Sequence, residues 1–326
     1  MHIFAGIPIY NTAIGIMLVL TACGCFIVGV NLMSRGFVHA SLRANSFFIR
    51  GFNCPNRFAG VGAGIAHTAL AQSSDVTSVT LVRLADVGVI TLSQACACII
   101  GANIGTTVTT FIVSLSAFDL TPYFAFCAFI GAIPLLSKKK GVHIFGEVVA
   151  GFGVLFIGIQ LLGANIENEA FRELVKNLFT LTESPILLIA VAMGTTMIVQ
   201  SSSVVTSLVV FLVSDSLLPF GSALCLVAGA NIGTCVTSWL AAGGASVSAR
   251  RVALFHTIFN MVGAALFLAV MYSPLKTPFL NAVGALPISN EFKVALFHLT
   301  FNLCAAAVMI PLLRPSVWIS KKIIKH

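Results

Sequence analysis

The chain has 326 residues, 58% of them hydrophobic and 9% charged, against roughly 25% charged residues in soluble domains. This excludes a soluble globular enzyme and describes an all-α polytopic membrane protein. The net charge of +8 does not point to nucleic acid, because the basic residues fall in short clusters between apolar segments.

Ile7 to Met33 is the first apolar segment, longer than the ~20 residues that cross ~30 Å of hydrocarbon as a helix. No Lys or Arg precedes it, and it is too long for the core of a signal peptide, so it reads as a mature span. Arg35, Arg43, Arg50 and Arg57 follow as an interfacial stretch. Phe58 to Ala85 carries Gln72-Ser73-Ser74-Asp75 and is expected to form a re-entrant hairpin. Val89 to Leu115 then crosses with Gly101-Ala102-Asn103-Ile104-Gly105-Thr106, and Thr121 to Leu136 returns to Lys138, Lys139 and Lys140. Val142 to Gly163 crosses to an acidic stretch, Asn165 to Glu183, with Glu167, Glu169 and Glu173. Pro185 to Val213 carries Gln200-Ser201-Ser202-Ser203 as a second hairpin, and Leu217 to Ala242 carries Gly229-Ala230-Asn231-Ile232-Gly233-Thr234. Arg250 and Arg251 precede the last two spans, Val252 to Tyr272 and Val294 to Leu313, and Arg314, Lys321, Lys322 and Lys325 end the chain.

Basic loops stay cytoplasmic. Placing the four basic clusters inside puts the N-terminus outside and the C-terminus in the cytoplasm, and it makes the first Gly-Ala-Asn-Ile-Gly-Thr segment run outward and the second inward. The expected organisation is therefore two inverted-topology repeats, 1–137 and 142–242, followed by additional helices at 249–313 and a basic cytoplasmic tail at 314–326. Compact loops suggest a bacterial inner membrane.

The duplication is in register. The step from Gln72 to Gln200 equals the step from Gly101 to Gly229, so the two halves align without a gap. Duplicated polar interruptions inside apolar segments point to a transporter's binding site between two repeats. Four consecutive polar residues cannot share one helix face at about 100° per residue, and in lipid an unsatisfied polar group costs several kcal/mol, so each Gln-Ser-Ser belongs at a non-helical tip buried in protein. Such a tip offers an oxyanion free N–H groups at a helix N-terminus and neutral hydroxyl donors. Asn103, Thr106, Thr107 and Thr110 form one polar stripe, matched by Asn231, Thr234, Cys235 and Ser238. The paired glycines permit either a helix break or close helix contact. An interrupted transmembrane helix in each repeat is the expectation, with amide, hydroxyl and carbonyl oxygens suited to an alkali cation.

Asp75 stands where the second copy has Ser203. An ionisable residue inside a membrane is a candidate cation ligand or proton acceptor. His67 and the doublet Phe255-His256-x-x-Phe259-Asn260 and Phe297-His298-x-x-Phe301-Asn302 suit interhelical hydrogen bonding at least as well as solute contact. The nine cysteines lack paired metal spacing and read as apolar packing, with no transition-metal site. No His-Glu-x-x-His or Gly-x-Ser-x-Gly signature marks an enzyme.

Together, the paired Gln-Ser-Ser and Gly-Ala-Asn-Ile-Gly-Thr segments, Arg250-Arg251 before a span and the two Phe-His-x-x-Phe-Asn elements resemble the sodium/phosphate cotransporter family, its type II carriers and bacterial relatives, from about Ile14 to Pro311. The chain resembles their transport core without a soluble C-terminal domain. The resemblance implies sodium-coupled uptake of inorganic phosphate by alternating access in a lipid bilayer. It implies substrate contacts at Gln72, Ser73, Ser74, Gln200, Ser201, Ser202 and Ser203, with sodium ions near Asp75, Asn103, Thr106, Asn231 and Thr234. Asp75 departs from the family's third Ser, which puts cargo identity in doubt. A phosphate exporter, a carrier of another small solute, an intramembrane enzyme and a channel are the alternatives.

Overall fold

The computed structural model describes residues 8–42, 51–118, 121–164, 184–214 and 216–325, and its regular structure is all helical. In chain order the helices are α1 Pro8–Leu42, α2 Arg57–Ala71, α3 Ser74–Asp86, α4 Leu92–Ser114, α5 Thr121–Leu135, α6 Lys140–Ala164, α7 Pro185–Val199, α8 Ser202–Ser214, α9 Phe220–Gly233, α10 Cys235–Ala242, α11 Val247–Met271, α12 Lys276–Gly284, α13 Asn290–Met309 and α14 Leu313–Ile323. Among the described residues, five stretches are long and apolar enough to cross a membrane: Leu92–Ala117, Lys140–Leu161, Phe220–Ala242, Val247–Met271 and Asn290–Met309.

Local chemistry sets several boundaries. A capping box starts α4, where Thr91 Oγ1 accepts from Gln94 N and Gln94 Oε1 accepts from Thr91 N at 2.9 Å. Pro185 opens α7 at a position where its missing N–H has no intrahelical partner to lose. The first helix runs to Leu42 and so incorporates Arg35, which the sequence reading puts in an interfacial stretch. Met33 and Gly36 lie against Gly151 and Val148 of α6, and this packing carries the helix past the basic residue. Arg43, Arg50 and the acidic stretch Asn165 to Glu183 lie outside the described residues.

Helices α1, α5 and α6 pack side by side, with the Phe124 and Phe156 rings stacked at 3.8 Å. The remaining helices share two apolar cores. One joins Leu188 and Ile189 of α7, Val205 to Val213 of α8 and Ala223 to Ala230 of α9 with Phe26 and Leu155. The other joins Val61, Leu81, Val82 and Ala95 to Ile100 with Ala241, Ala242 and Leu313. Helices α11 and α13 belong to both, in opposite senses. Val252 to Phe259 of α11 lie in the second core and Ala264 to Met271 in the first, whereas Val294 to Phe301 of α13 lie in the first and Ala305 to Met309 in the second. Between the cores runs a buried polar seam of Asn103, Thr106, Thr110, Asn231, Thr234, Ser238, His256 and His298. Buried polar groups are tolerated when hydrogen-bonded, so the wiring of this seam locates the site.

Candidate functional site

Both Gln-Ser-Ser segments interrupt a helix in the same way. Gln72 ends α2 at φ 50° and Gln200 ends α7 at φ 56°, both in the left-handed region. A non-glycine residue held there costs on the order of 1–3 kcal/mol and persists where the surroundings fix it. The next helix starts at once. Ser73 Oγ accepts from Val76 N at 3.2 Å and Ser201 Oγ from Val204 N at 3.4 Å, equivalent bonds at equivalent positions of the two copies. Ser74, Ser202 and Ser203 are buried in the first turns of α3 and α8, where free N–H groups and the helix dipole favour an anion.

The Gly-Ala-Asn-Ile-Gly-Thr segments cross behind these breaks, and the glycines explain their position. A Cβ on Gly101 would lie 1.9 Å from Val61 O, and one on Gly229 would lie 2.2 Å from Ile189 O. Val61 and Ile189 are separated by the same step as the two glycines, so the duplication is one of packing as well as of sequence. The expected interruption is present in the second copy alone, at Thr234 between α9 and α10; α4 runs unbroken through Gly101 to Thr106. In the first copy the glycines serve close approach, and Thr106 Oγ1 bonds back to Ala102 O at 3.0 Å within a continuous turn. Asn103 and Asn231 donate Nδ2 to Ile99 O and Val227 O, each at 2.9 Å.

The two histidine elements clasp the ends of these stripes. His298 Nδ1 lies 2.8 Å from Thr110 Oγ1, and His256 Nδ1 lies 2.7 Å from the equivalent Ser238 Oγ. His298 also reaches Asn231 Oδ1 through Nε2 at 3.2 Å. An amide oxygen only accepts, so His298 donates from Nε2 and accepts from Thr110 at Nδ1. His67 faces Thr77 Oγ1 at 2.9 Å and the Phe52 ring at 5.0 Å.

Beyond these shared features the two breaks differ. In the first, Thr68 Oγ1 donates to Thr77 Oγ1 at 2.8 Å, Thr77 donates to Ser73 O, Ser78 donates to Asp75 O, and Thr109 Oγ1 donates to Gln72 Oε1 at 3.1 Å. The Gln72 amide donates to Ala69 O. In the second, the hydroxyls of Thr196, Ser202 and Thr206 are buried without a hydrogen-bond partner. Thr196 is the counterpart of Thr68, and Val205 stands where Thr77 would accept from it. Asp75 joins the two repeats, its Oδ1 accepting from Thr237 Oγ1 at 2.9 Å.

Asp75 and Thr234 are thus drawn together through Thr237. Among the described residues no hydrogen bond joins the serines of one break to those of the other. Sequence reasoning missed Thr109, Thr237, Thr196 and Thr206. Thr109 and Thr237 lie off the polar stripe, and the available signal was their identity at equivalent positions. Among the described residues no three His, Cys, Asp or Glu side chains gather to hold a metal ion.

This twofold arrangement agrees with comparison to known proteins. The model of the Na+/Pi-cotransporter family matches residues 25–164 and again residues 157–285. The chain is 30% identical over 265 residues to the "Putative inorganic phosphate export protein YjbB" of Escherichia coli K12, which covers 81% of this chain and 47% of that protein. It is 26% identical over 222 residues to the "Uncharacterized protein YqeW" of Bacillus subtilis, 67% of each chain. It is 34% identical over 125 residues to the human "Sodium-dependent phosphate transport protein 2C", 36% of this chain and 21% of that one. The chain thus spans about half the length of YjbB, and no solved structure matches it. Two family matches over a repeated helical array with five membrane-length apolar helices identify an integral membrane protein that belongs to the Na+/Pi-cotransporter family.

Proposed function

We propose that the protein is a secondary active carrier that moves inorganic phosphate across the membrane coupled to Na+, its two repeats inverted about an axis in the membrane plane and its Gln-Ser-Ser breaks forming re-entrant hairpin tips. The observation that carries this reading is the buried, unpartnered set of Thr196, Ser202 and Thr206 hydroxyls beside the left-handed Gln200. Neutral donors at a helix N-terminus suit a small oxyanion. Gln72, Ser73, Ser74, Gln200, Ser201 and Ser203 complete the proposed substrate tips, and Asp75, Asn103, Thr106, Asn231 and Thr234 supply oxygen for sodium. The N-terminus is placed outside a bacterial inner membrane and the C-terminus inside, following the basic clusters.

Energetics set the coupling. One Na+ moving down a tenfold gradient and ~100 mV releases ~3.7 kcal/mol, while a phosphate dianion moving inward opposes that voltage by ~4.6 kcal/mol. Uptake of the dianion therefore needs at least two Na+ per phosphate. Measured one-to-one stoichiometry with active uptake of the dianion would rule this out.

Export is the second reading, favoured by the likeness to YjbB over most of this chain. Labelled phosphate flux in proteoliposomes, with a Na+ gradient imposed in either direction, tests both. Gradient-driven flux that falls about tenfold in Ser202→Ala at phosphate below half-saturation is the expected result. Absence of phosphate flux from folded protein overturns the cargo.

A further inference from the structure

Helix α14 is packed inside out. Its buried face is made by Leu313, Ser316 and Ser320, while Trp318 is 56% and Ile323 61% exposed, with Leu312 and Ile319 exposed beside them. A helix that covers a core in water turns its large apolar residues inward, and here two serines take that place. Ser320 Oγ donates to Ser316 O at 2.9 Å, so its hydroxyl is satisfied within the helix. The outer face is sorted by chemistry. At about 100° per residue, Leu312, Ile319 and Ile323 share one flank and Arg314 and Lys321 the nearly opposite one, with Lys325 just past the helix end. Trp318 lies between the flanks, and Lys322 Nζ sits 3.9 Å from its ring centroid as a cation–π pair. Among the described residues no acidic side chain forms an ion pair with Arg314, Lys321, Lys322 or Lys325.

The fold sets the level of this helix. The membrane-length helix α13 ends at Met309 and α14 follows at Leu313, while the membrane-length helix α11 starts at Val247 and its Arg251 donates Nε and Nη2 to Ile324 O at 3.0 and 2.8 Å. Helix α14 is thus pinned where one apolar helix ends and another begins, at the edge of the hydrocarbon. In the first turn of α11, Arg250 keeps a buried Nε with no hydrogen-bond partner, at a helix end whose dipole favours an anion. We propose that α14 is an interfacial helix that docks anionic phospholipid at the bilayer surface. Leu312, Ile319 and Ile323 enter the acyl region, Trp318 sits at headgroup level, and Arg314, Lys321, Lys322 and Lys325 bind the headgroup phosphates. Helices with aliphatic residues and Trp on one side and Lys or Arg on the other lie in the interface in this way, and each basic residue near an anionic surface strengthens binding by about fivefold. This surface is independent of the carrier's cargo.

The test is tryptophan fluorescence of the full chain in vesicles of equal parts phosphatidylglycerol and phosphatidylcholine, with one or the other lipid carrying brominated acyl chains that quench on contact. The chain has two tryptophans, and Trp239→Phe leaves Trp318 as the reporter. Brominated phosphatidylglycerol should quench Trp318 more than brominated phosphatidylcholine does, corresponding to a local preference of about tenfold or more. Combined Lys321→Gln, Lys322→Gln and Lys325→Gln should bring that preference close to one, and high salt should weaken it. Should the combined variant fail to fold, Lys321→Gln and Lys325→Gln singly carry the test, each lowering the preference about twofold or more. Equal quenching by the two lipids, unchanged in the lysine variants, overturns the anionic partner. Quenching by neither lipid shows α14 facing water or another protein and overturns the membrane surface altogether. The same preference at Trp239, read in Trp318→Phe, belongs to the lipid belt of the whole protein and overturns the assignment to α14.

Discussion

The two helix breaks have the same backbone and different wiring. Both break at a left-handed Gln, both start the next helix from a capping Ser, and both lie beside a helix whose glycine admits no side chain. In repeat 1, Thr68, Thr77, Ser78 and Gln72 satisfy one another or the main chain, and Asp75 adds a carboxyl group that accepts from Thr237. At the break of repeat 2, three hydroxyls have no partner and the first turn of α8 holds no acidic residue. Duplication supplied a frame, and side-chain differences at a few positions divided its use: a self-contained, acidic break on one side and a donor-rich break on the other.

The largest expected effect tests the shared frame. Gly101→Val and Gly229→Val each force side-chain atoms into a main-chain carbonyl, and overpacking of this kind costs ~3 kcal/mol or more. Both variants should show strongly lowered melting temperatures in detergent, by similar amounts. Survival of only one would show that the repeats are not equivalent even in packing. The division of roles is sharpened by Ser202→Ala against Ser74→Ala. Loss of a hydrogen bond to a charged ligand, ~1.5–3 kcal/mol, raises the half-saturating phosphate concentration by about tenfold or more in the first. The second should change it by less than about threefold. Equal effects would break the comparison.

Much of the frame is legible in the sequence. The gapless register of the two copies, the capped breaks after Gln72 and Gln200, and the long apolar helices follow from spacing and composition. The fate of the glycines does not, because a glycine within an apolar helix is compatible with both a break and a close contact. The choice depends on a partner in a separate, earlier helix, Val61 for Gly101 and Ile189 for Gly229. Asp75 is visible as an intramembrane carboxylate, but its partner Thr237 lies in the other repeat and off the polar stripe. The contrast between satisfied and unpartnered hydroxyls is written in one pair of positions, Thr77 against Val205, and acquires meaning only when α3 and α8 are placed against their neighbours.

Two smaller effects probe that contrast through stability. In phosphate-free detergent, Thr196→Val removes a buried unpartnered hydroxyl and should raise the melting temperature, by the equivalent of ~1 kcal/mol. Thr68→Val breaks a made hydrogen bond and should lower it by a similar amount. Shifts of the same sign would show that the second break is as well satisfied as the first. The smallest effect is at the left-handed positions. Gln200→Gly relieves backbone strain of ~1 kcal/mol, offset by the greater freedom of the unfolded chain, and should leave stability nearly unchanged. Gln72→Gly also removes the acceptor of Thr109 and should be the less stable of the two.

Helices α11 and α13 each give one end to each apolar core, running in opposite senses. Neither repeat therefore owns a complete interior: each borrows half of two helices encoded after both. A chain severed between α6 and α7 would leave its first fragment without the wall that buries Ala95 to Ile100. Unfolding in detergent should accordingly be a single transition, since a loss of order in either half uncovers the helices on which the other depends.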